Sequence, residues 1–272
     1  MNLLLRILLI VLSSLLILVV LAFVGLQVKP ASFPALASSQ AKLETIPLPA
    51  GLPAPVTRFY QKIYGDRIPV IHSVVISGRA IIRPVGPINI PARFRFTHLA
   101  GQDYRHYIEA TIFGFPILKI NESYIKSSSR QEMPWGTTTN DPRANQAANL
   151  GLWAEAIWYP SIFLTDPRVH WKAVDDVTAT LTVPFEASNE TFIARFDPVT
   201  HLLSYLESMR FKTDQKVLWM NDARVWGDVG GFTVLKESAV IWMDDGKPWA
   251  TFEVEEIEFN SDVSKTIGGT GL

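Results

Sequence analysis

The sequence contains no cysteine. This absence excludes disulfide bonds, catalysis by a thiol, a metal site with cysteine ligands and a lipid anchor attached to cysteine. It is compatible with a bacterial protein that acts outside the cytoplasm. The net charge is only −1, so the chain also lacks the excess of positive charge that nucleic-acid binding requires, and we expect no nucleic-acid partner.

The common catalytic motifs are absent too. No serine lies in a G-x-S-x-G pattern, and no H-E-x-x-H, P-loop or G-x-G-x-x-G pattern occurs. These absences count against the common hydrolases and nucleotide-dependent enzymes, and they imply no cofactor. The sequence favours a protein that is not an enzyme over one that is, although a catalytic site assembled from distant strands stays open.

The N-terminus holds the longest uncharged segment. Residues 7–28 lie between Arg6 and Lys29, and about 20 apolar residues span a hydrocarbon core of about 30 Å. A signal peptide has a shorter apolar region, and the nearest small-residue cleavage pattern, at 35–37, lies well downstream. We therefore predict that residues 1–28 are a retained single-pass anchor in a bacterial inner (plasma) membrane. The short segment before it favours an extracytoplasmic C-terminal domain, while the flanking charges give only a small bias.

Composition divides the rest of the chain. Residues 29–51 are rich in Pro, Ala and Ser, which predicts a semi-extended tether. Residues 52–260 are expected to form the folded domain. The tail, residues 261–272, ends in GGTGL and is expected to be disordered.

One long helix and many strands are predicted within the domain. Asp141 suits a helix N-cap, Pro142 suits the first turn, and Pro160 ends the pattern, which places a helix near 141–159. About ten strands with alternating polarity surround it at hairpin spacing, with a bulge expected near residues 255–256. The predicted fold is therefore α+β: a curved, half-barrel-like antiparallel sheet packed around a central helix and preceded by a transmembrane helix.

Three segments carry a resemblance to a known family. LPAPVTRFY (52–60), WYPSIFL (158–164) and VHWKAVDD (169–176) resemble, in sequence and in order, a bacterial family of membrane-anchored proteins of unknown function. The resemblance runs from residue 52 to residue 260 and implies no established activity, so it assigns no catalytic residue. At the level of fold, a long antiparallel sheet with helices against one face also resembles the LolA-type lipoprotein-carrier half-barrels.

Aromatic residues are abundant, with eight tryptophans and 15 phenylalanines. A curved sheet around a helix leaves either a filled core or a pocket, depending on side-chain volumes, and both outcomes stay open. If a pocket forms, it is expected to bind a lipid or another apolar ligand. The residues that would line it are Phe94, Phe96, Trp153, Trp158, Trp171, Trp219 and Trp242.

Three charged residues are candidates for a polar site. Asp176 follows another aspartate between two strands, where a turn is favoured over a catalytic carboxylate. Glu207 shares a strand face with apolar residues, which costs free energy unless the carboxylate is paired. Arg224 in the next strand is its predicted partner, and a structural salt bridge is favoured over a ligand contact.

Two histidines flank one predicted hairpin. His98 and His106 follow the apolar face on either side of a turn that contains Asp103, and cross-strand neighbours can reach metal-ligand distance. A metal site needs three or four placed ligands, so hydrogen-bonded structural histidines are favoured. We predict no metal site and retain the two histidines as the candidates if one exists.

Three hypotheses for function follow. The first is a non-enzymatic, membrane-anchored extracytoplasmic module that binds a lipid or apolar ligand. The second is a structural or assembly partner in the cell envelope that has a filled core and no small ligand. The third is a hydrolase or metal-dependent enzyme with a novel site that uses His98, His106 or Asp176.

Overall fold

The fold is built on one antiparallel sheet. The structure is a computed structural model that describes residues 3–36, 43–84, 86–133 and 136–269. The strands are β1 (Thr45–Pro47), β2 (Arg67–Pro69), β3 (Ser73–Ile82), β4 (Ile90–Leu99), β5 (Asp103–Ile112), β6 (Phe115–Ile125), β7 (Ser128–Met133), β8 (Gly136–Thr139), β9 (His170–Ala173), β10 (Thr178–Phe185), β11 (Ser188–Phe196), β12 (Leu203–Phe211), β13 (Lys216–Val229), β14 (Phe232–Trp242) and β15 (Lys247–Phe259). The helices are α1 (Leu3–Gly25), α2 (Ala54–Tyr64), α3 (Pro142–Glu155), α4 (Ile162–Thr165) and α5 (Ser264–Gly268).

Thirteen of these strands form a single sheet in the order β8-β7-β6-β5-β4-β3-β15-β14-β13-β12-β11-β10-β9, and β1 pairs with β2 separately. The predicted α+β class, a curved antiparallel sheet with a helix, is confirmed. The sheet has more than the ten strands expected, mainly because strands of three or four residues are too short for alternation to reveal. In this sheet the short strands are β8 and β9, and the equally short β1 and β2 form the separate pair.

The strand order explains the position of α3. The chain makes two meanders, β3–β8 and β9–β15, which join where β3 pairs with β15. Strands β8 and β9 therefore lie at opposite edges of the sheet. The segment between them, residues 140–169, must cross a face of the sheet, and α3 buries most of its residues there.

Helix α3 begins as its sequence indicates. Asp141 Oδ1 accepts hydrogen bonds from the N–H groups of Arg143 and Ala144, at 3.0 Å each, and Pro142 occupies the first turn. Several polar residues of the helix are also buried, and they form hydrogen bonds with the surrounding strands. For example, Asn149 Nδ2 donates to the carbonyl of Pro184 at 3.1 Å.

We call the face of the sheet that packs against α3 the inner face and the opposite face the outer face. Both ends of the domain cover the outer face. Part of the expected tether, residues 29–36, lies along this face: Arg95 donates to the carbonyl of Pro34 at 2.6 Å, and Phe33 is buried beneath Arg93. The tail also departs from expectation, because α5 forms at residues 264–268 and its Ile267 carbonyl accepts from Arg105. Residues 37–42 and 270–272 lie outside the described part of the chain.

Two further details bear on the predicted boundaries. Strand β1 begins at Thr45, before the expected domain start at residue 52, and pairs with β2. The expected bulge near residues 255–256 is confirmed, since the register between β15 and β3 shifts between Val254 and Glu256.

Helix α1 is apolar, is 23 residues long and is exposed except at Gly25. Its length and composition fit a membrane span, and a signal sequence would meet the same criteria. Its last residue contacts the domain: the Gly25 carbonyl accepts a hydrogen bond from the N–H of Phe113 at 2.8 Å. A Cβ at Gly25 would lie only 2.6 Å from Ile112 and 2.7 Å from Phe113, so this contact requires glycine.

Candidate functional site

The two histidines of the β4–β5 hairpin meet a carboxylate from α3. His98 is fully buried and His106 nearly so, both on the inner face of the sheet. Glu155, the last residue of α3, places Oε2 at 2.6 Å from His106 Nε2 and 3.2 Å from His98 Nε2. The sheet register and the end of the helix thus bring together three groups that are far apart in sequence.

The hydrogen bonding of His98 is incomplete. Neither of its ring nitrogens has a hydrogen-bond partner among the described residues, because its 3.2 Å contact with Glu155 lacks the geometry of a hydrogen bond. His106 is better held, since its ring stacks on Tyr104 with centroids 4.0 Å apart. A buried imidazole with unmet nitrogens costs free energy unless another group binds it.

Electrostatics favour an ionised Glu155 carboxylate and a neutral His98 imidazole. Burial alone would raise the pKa of Glu155, but His106 and His98 outweigh that effect and lower it to about 2. Burial lowers the pKa of His98, and Glu155 only partly opposes this. The Glu155 carboxylate and the His98 imidazole are therefore held in the protonation states that metal ligands need.

The geometry fits a transition-metal ion. The three ligand atoms, from His98, His106 and Glu155, all lie within 4.8 Å of one another. Zinc binds His and carboxylate at about 2.0–2.2 Å, which sets tetrahedral ligand atoms roughly 3.3 Å apart. Small side-chain shifts would meet that spacing, so the residues present fit such an ion.

A small cavity of about 60 Å³ adjoins this cluster and is lined in part by His106 and Glu155. Strand β12 contributes Arg210, whose Nε donates to the carbonyl of Ala147 at 2.9 Å. On the opposite meander, the Tyr104 hydroxyl donates to Glu122 Oε1 at 2.6 Å. Burial raises the pKa of Tyr104 well above its usual value, so this hydroxyl stays protonated.

A model of DUF6544, a family of unknown function, matches residues 42–254, more than half of the chain. The chain belongs to this family. The predicted membership of a family of unknown function is therefore confirmed. No curated protein matches the sequence.

Three solved structures resemble this DUF6544 protein. A DUF1329 family protein from Desulfovibrio piger has 10% sequence identity and a TM-score of 0.43, and the match covers 72% of this chain and 88% of that chain. A domain described as an outer membrane lipoprotein-sorting protein from Vibrio parahaemolyticus has 6% identity and a TM-score of 0.44, and the match covers 78% of this chain and 92% of that chain. A LolA superfamily protein from Nitrosomonas europaea has 9% identity and a TM-score of 0.44, and the match covers 72% of this chain and 89% of that chain. These values are too low to support an inference about function, which rests on the site alone.

The predicted aromatic residues mostly fill the core. Phe96, Trp158 and Trp219 line the 60 Å³ cavity. Ligand pockets usually measure about 300–1,000 Å³, so this cavity is too small for a lipid chain. The other four pack elsewhere: Phe94 on Phe96, Trp153 on Phe163, Trp171 on Phe163 and Trp242 on Trp219.

The polar candidates lie outside this site. Asp176 is exposed in a turn, where neighbouring Asp175 accepts from the N–H of Val177 at 2.9 Å. The predicted Glu207–Arg224 pair is wrong. Glu207 instead lies 3.3 Å from Arg195 and Arg224 lies 2.8 Å from Asp222, because the register places Glu207 opposite Met220.

A single irregularity explains why Arg210 was missed. The register between β11 and β12 shifts beside Phe196, which turns Leu206 to the inner face and leaves Tyr205 and Met209 exposed. The alternation had predicted the opposite face as buried. Arg210 therefore lies on the inner face.

Glu155 was also missed, although the sequence contains a signal for it. It is the only charged residue between Arg143 and Asp166. An isolated charge in a long uncharged segment that packs into a core is expected to be paired or to bind a ligand.

Proposed function

We propose that this chain is a membrane-anchored, extracytoplasmic domain that binds a divalent transition-metal ion through His98, His106 and Glu155. The decisive observation is the fully buried His98, whose ring nitrogens are unmet beside an ionised carboxylate. Metal coordination would satisfy all three side chains at once. This is the metal-dependent hypothesis from the sequence with a new third ligand, and the 60 Å³ cavity beside that site is too small for a lipid chain.

The donor set indicates which ions would bind. Two imidazoles and one carboxylate suit zinc and its transition-metal neighbours, whereas calcium and magnesium prefer oxygen ligands. Two histidines and a glutamate, with a fourth position left open, also form the ligand set of some catalytic zinc sites. Such an ion would polarise a bound molecule or acidify a bound water, so a hydrolytic role remains compatible with this proposal.

The contacts of the N-terminal segment support a retained anchor. The Gly25 carbonyl bonds to Phe113, and Phe33 and Pro34 are held on the outer face of the sheet. The turn that meets α1 exposes the apolar side chains of Phe113 and Phe115, which would then lie at the membrane surface. Cleavage after α1 would remove the Gly25 contact, whereas the contacts of Phe33 and Pro34 would remain.

Metal analysis tests the site. The full chain, purified in detergent through a tag without histidine, should be stripped of metal and titrated with Zn²⁺, with bound zinc counted by mass spectrometry. We expect about one zinc per chain and at least tenfold weaker binding in His98→Gln, His106→Gln and Glu155→Gln. The control His170→Gln alters an exposed histidine and should bind as the wild type does.

Either of two outcomes would overturn the metal proposal: no stoichiometric zinc in the wild type, or unchanged zinc affinity in all three ligand variants. The anchor is tested separately by measuring the intact mass of protein extracted from membranes. A mass that includes residues 1–28 is expected, and a mass that begins after α1 would contradict retention.

A further inference from the structure

Several residues that line the cavity beside Glu155 carry hydrogen-bond donors without a partner in the described structure. The indole Nε1 atoms of Trp158, Trp219 and Trp249 and the amide Nδ2 of Asn221 are buried, and none has a partner among the described residues. All four residues line the cavity. Since buried donors are normally satisfied, this concentration in one small space points to an occupant that accepts hydrogen bonds.

Arg210 adds a positive charge to the same wall. Its guanidinium lies 4.3 Å from the centre of the Trp219 ring and 5.5 Å from that of Trp242, and its Nε is held by the Ala147 carbonyl. No ion pair of Arg210 occurs within the described part of the chain, in contrast to Arg79 and Arg93 on the outer face. The guanidinium is therefore positioned by neutral groups and keeps donors for a ligand.

The charge of the cavity depends on the metal. Two carboxylates, Glu122 and Glu155, face one guanidinium, so without metal and with neutral histidines the cavity is net negative. A divalent ion on Glu155 would make it net positive. An anion would then gain from both the ion and Arg210, because a buried anion needs charge compensation and hydrogen bonds.

We propose that the metal-loaded cavity binds one small oxyanion, such as a short carboxylate or phosphate, which accepts hydrogen bonds from Arg210 and the unmet indole and amide donors. This inference rests on the proposed metal site and names the class of molecule that reaches it. A volume of about 60 Å³ holds a few waters at roughly 10–15 Å³ each, or one small ion, but not a sugar or a nucleotide.

Calorimetry on the full chain in detergent tests this inference, with formate, acetate and phosphate as the probes. Bound zinc is counted before each titration. We expect 1:1 binding of at least one probe to the zinc-loaded chain and at least tenfold weaker binding to the metal-free chain. Arg210→Gln should weaken binding at least tenfold, and Trp219→Phe, which removes an N–H but keeps an aromatic ring, at least threefold.

Trp171→Phe is the matched control. Its indole N–H also lacks a partner, but Trp171 does not line the cavity, so anion affinity should not change. Each variant must first retain one zinc per chain and the thermal unfolding of a folded domain. If Arg210→Gln fails that requirement, the pair Trp219→Phe and Trp249→Phe decides the result.

The outcomes separate the two proposals. A chain that binds no zinc overturns the metal site, and the anion inference with it. A chain that binds one zinc but none of the three anions overturns the anion inference alone, since the cavity then holds only water. Equal anion binding by the wild type and the cavity variants also overturns it, because the anions then bind elsewhere.

Discussion

Charged residues on the two faces of the sheet differ in how they are paired. On the outer face, charged residues pair with one another: Arg93 lies 2.7 Å from Glu109, and Arg79 is paired with Glu255. On the inner face, Arg210 has no ion pair in the described structure, and the close charge contacts of Glu155 described there are with His98 and His106. The outer pairs need no ligand, whereas the inner groups are arranged as a ligand would require.

The largest expected effect is the gain in stability on zinc binding. This gain should depend on Glu155 and not on Glu109, a buried carboxylate on the outer face. Zinc at about 1,000 times its Kd should stabilise the wild type by about 4 kcal/mol, and Glu155→Gln should lose at least about 1.4 kcal/mol of this gain. Glu109→Gln should lower stability with and without zinc but keep the gain, because its partner is Arg93. Thermal unfolding with and without zinc measures the stability of both variants. If zinc stabilises Glu155→Gln as much as the wild type, the proposed difference between the two faces is contradicted.

In the metal-free chain, the loss of stability in acid should depend on Glu155, the carboxylate on the inner face. The pKa of Glu155 is about 2 in the folded state, against an ordinary value of 4.5. A lowered pKa contributes stability that is present above about pH 4.5 and is lost as the pH falls towards 2. Urea unfolding between pH 6 and pH 2.5 should therefore show a shallower loss of stability in Glu155→Gln than in the wild type. Parallel curves would contradict the assigned coupling to the histidines.

On the outer face, packing should matter more than charge. Phe33→Ala removes a buried ring from beneath Arg93 and should cost about 1.5–3 kcal/mol. Arg79→Gln breaks a partly exposed ion pair and should cost at most about 1 kcal/mol. Unfolding free energies of the two variants test this order, and a larger loss in Arg79→Gln would reverse it.

The smallest effect on stability is expected at the turn beside α1. Phe115 is 73% exposed, so Phe115→Cys should change stability by less than about 0.5 kcal/mol. The chain has no native cysteine, so a fluorophore can be attached at this residue alone. In vesicles, spin-labelled lipid should quench a label at residue 115 and not the control label at Val199→Cys. Equal quenching at both positions would contradict the proposed membrane contact.

The sequence was most informative where one residue type determines one local structure. Asp141 and Pro142 correctly predicted the start of the central helix, and strand alternation predicted the antiparallel sheet and the bulge at residue 255. These features depend on neighbours in sequence, which periodicity and capping describe well. The thirteen-strand order could not be obtained this way, because the pairing of β3 with β15 joins segments far apart in the chain.

The site was only partly accessible from sequence. His98 and His106 were paired correctly because they share a hairpin, but their third partner comes from a helix that crosses the sheet. The face of β12 that carries Glu207 was predicted to be buried, but one register shift inverts this alternation and brings Arg210 to the inner face. Both errors arise from tertiary geometry, although the isolated charge of Glu155 was visible in the sequence.

X-ray absorption at the zinc edge, measured on the zinc-loaded chain in detergent, tests the central claim most directly. The account predicts two imidazole nitrogens and at least one oxygen at about 2.0–2.2 Å from the ion. It also predicts that one imidazole is lost in His98→Gln. A shell of oxygen alone, or a spectrum unchanged in His98→Gln, would contradict the metal site at His98, His106 and Glu155.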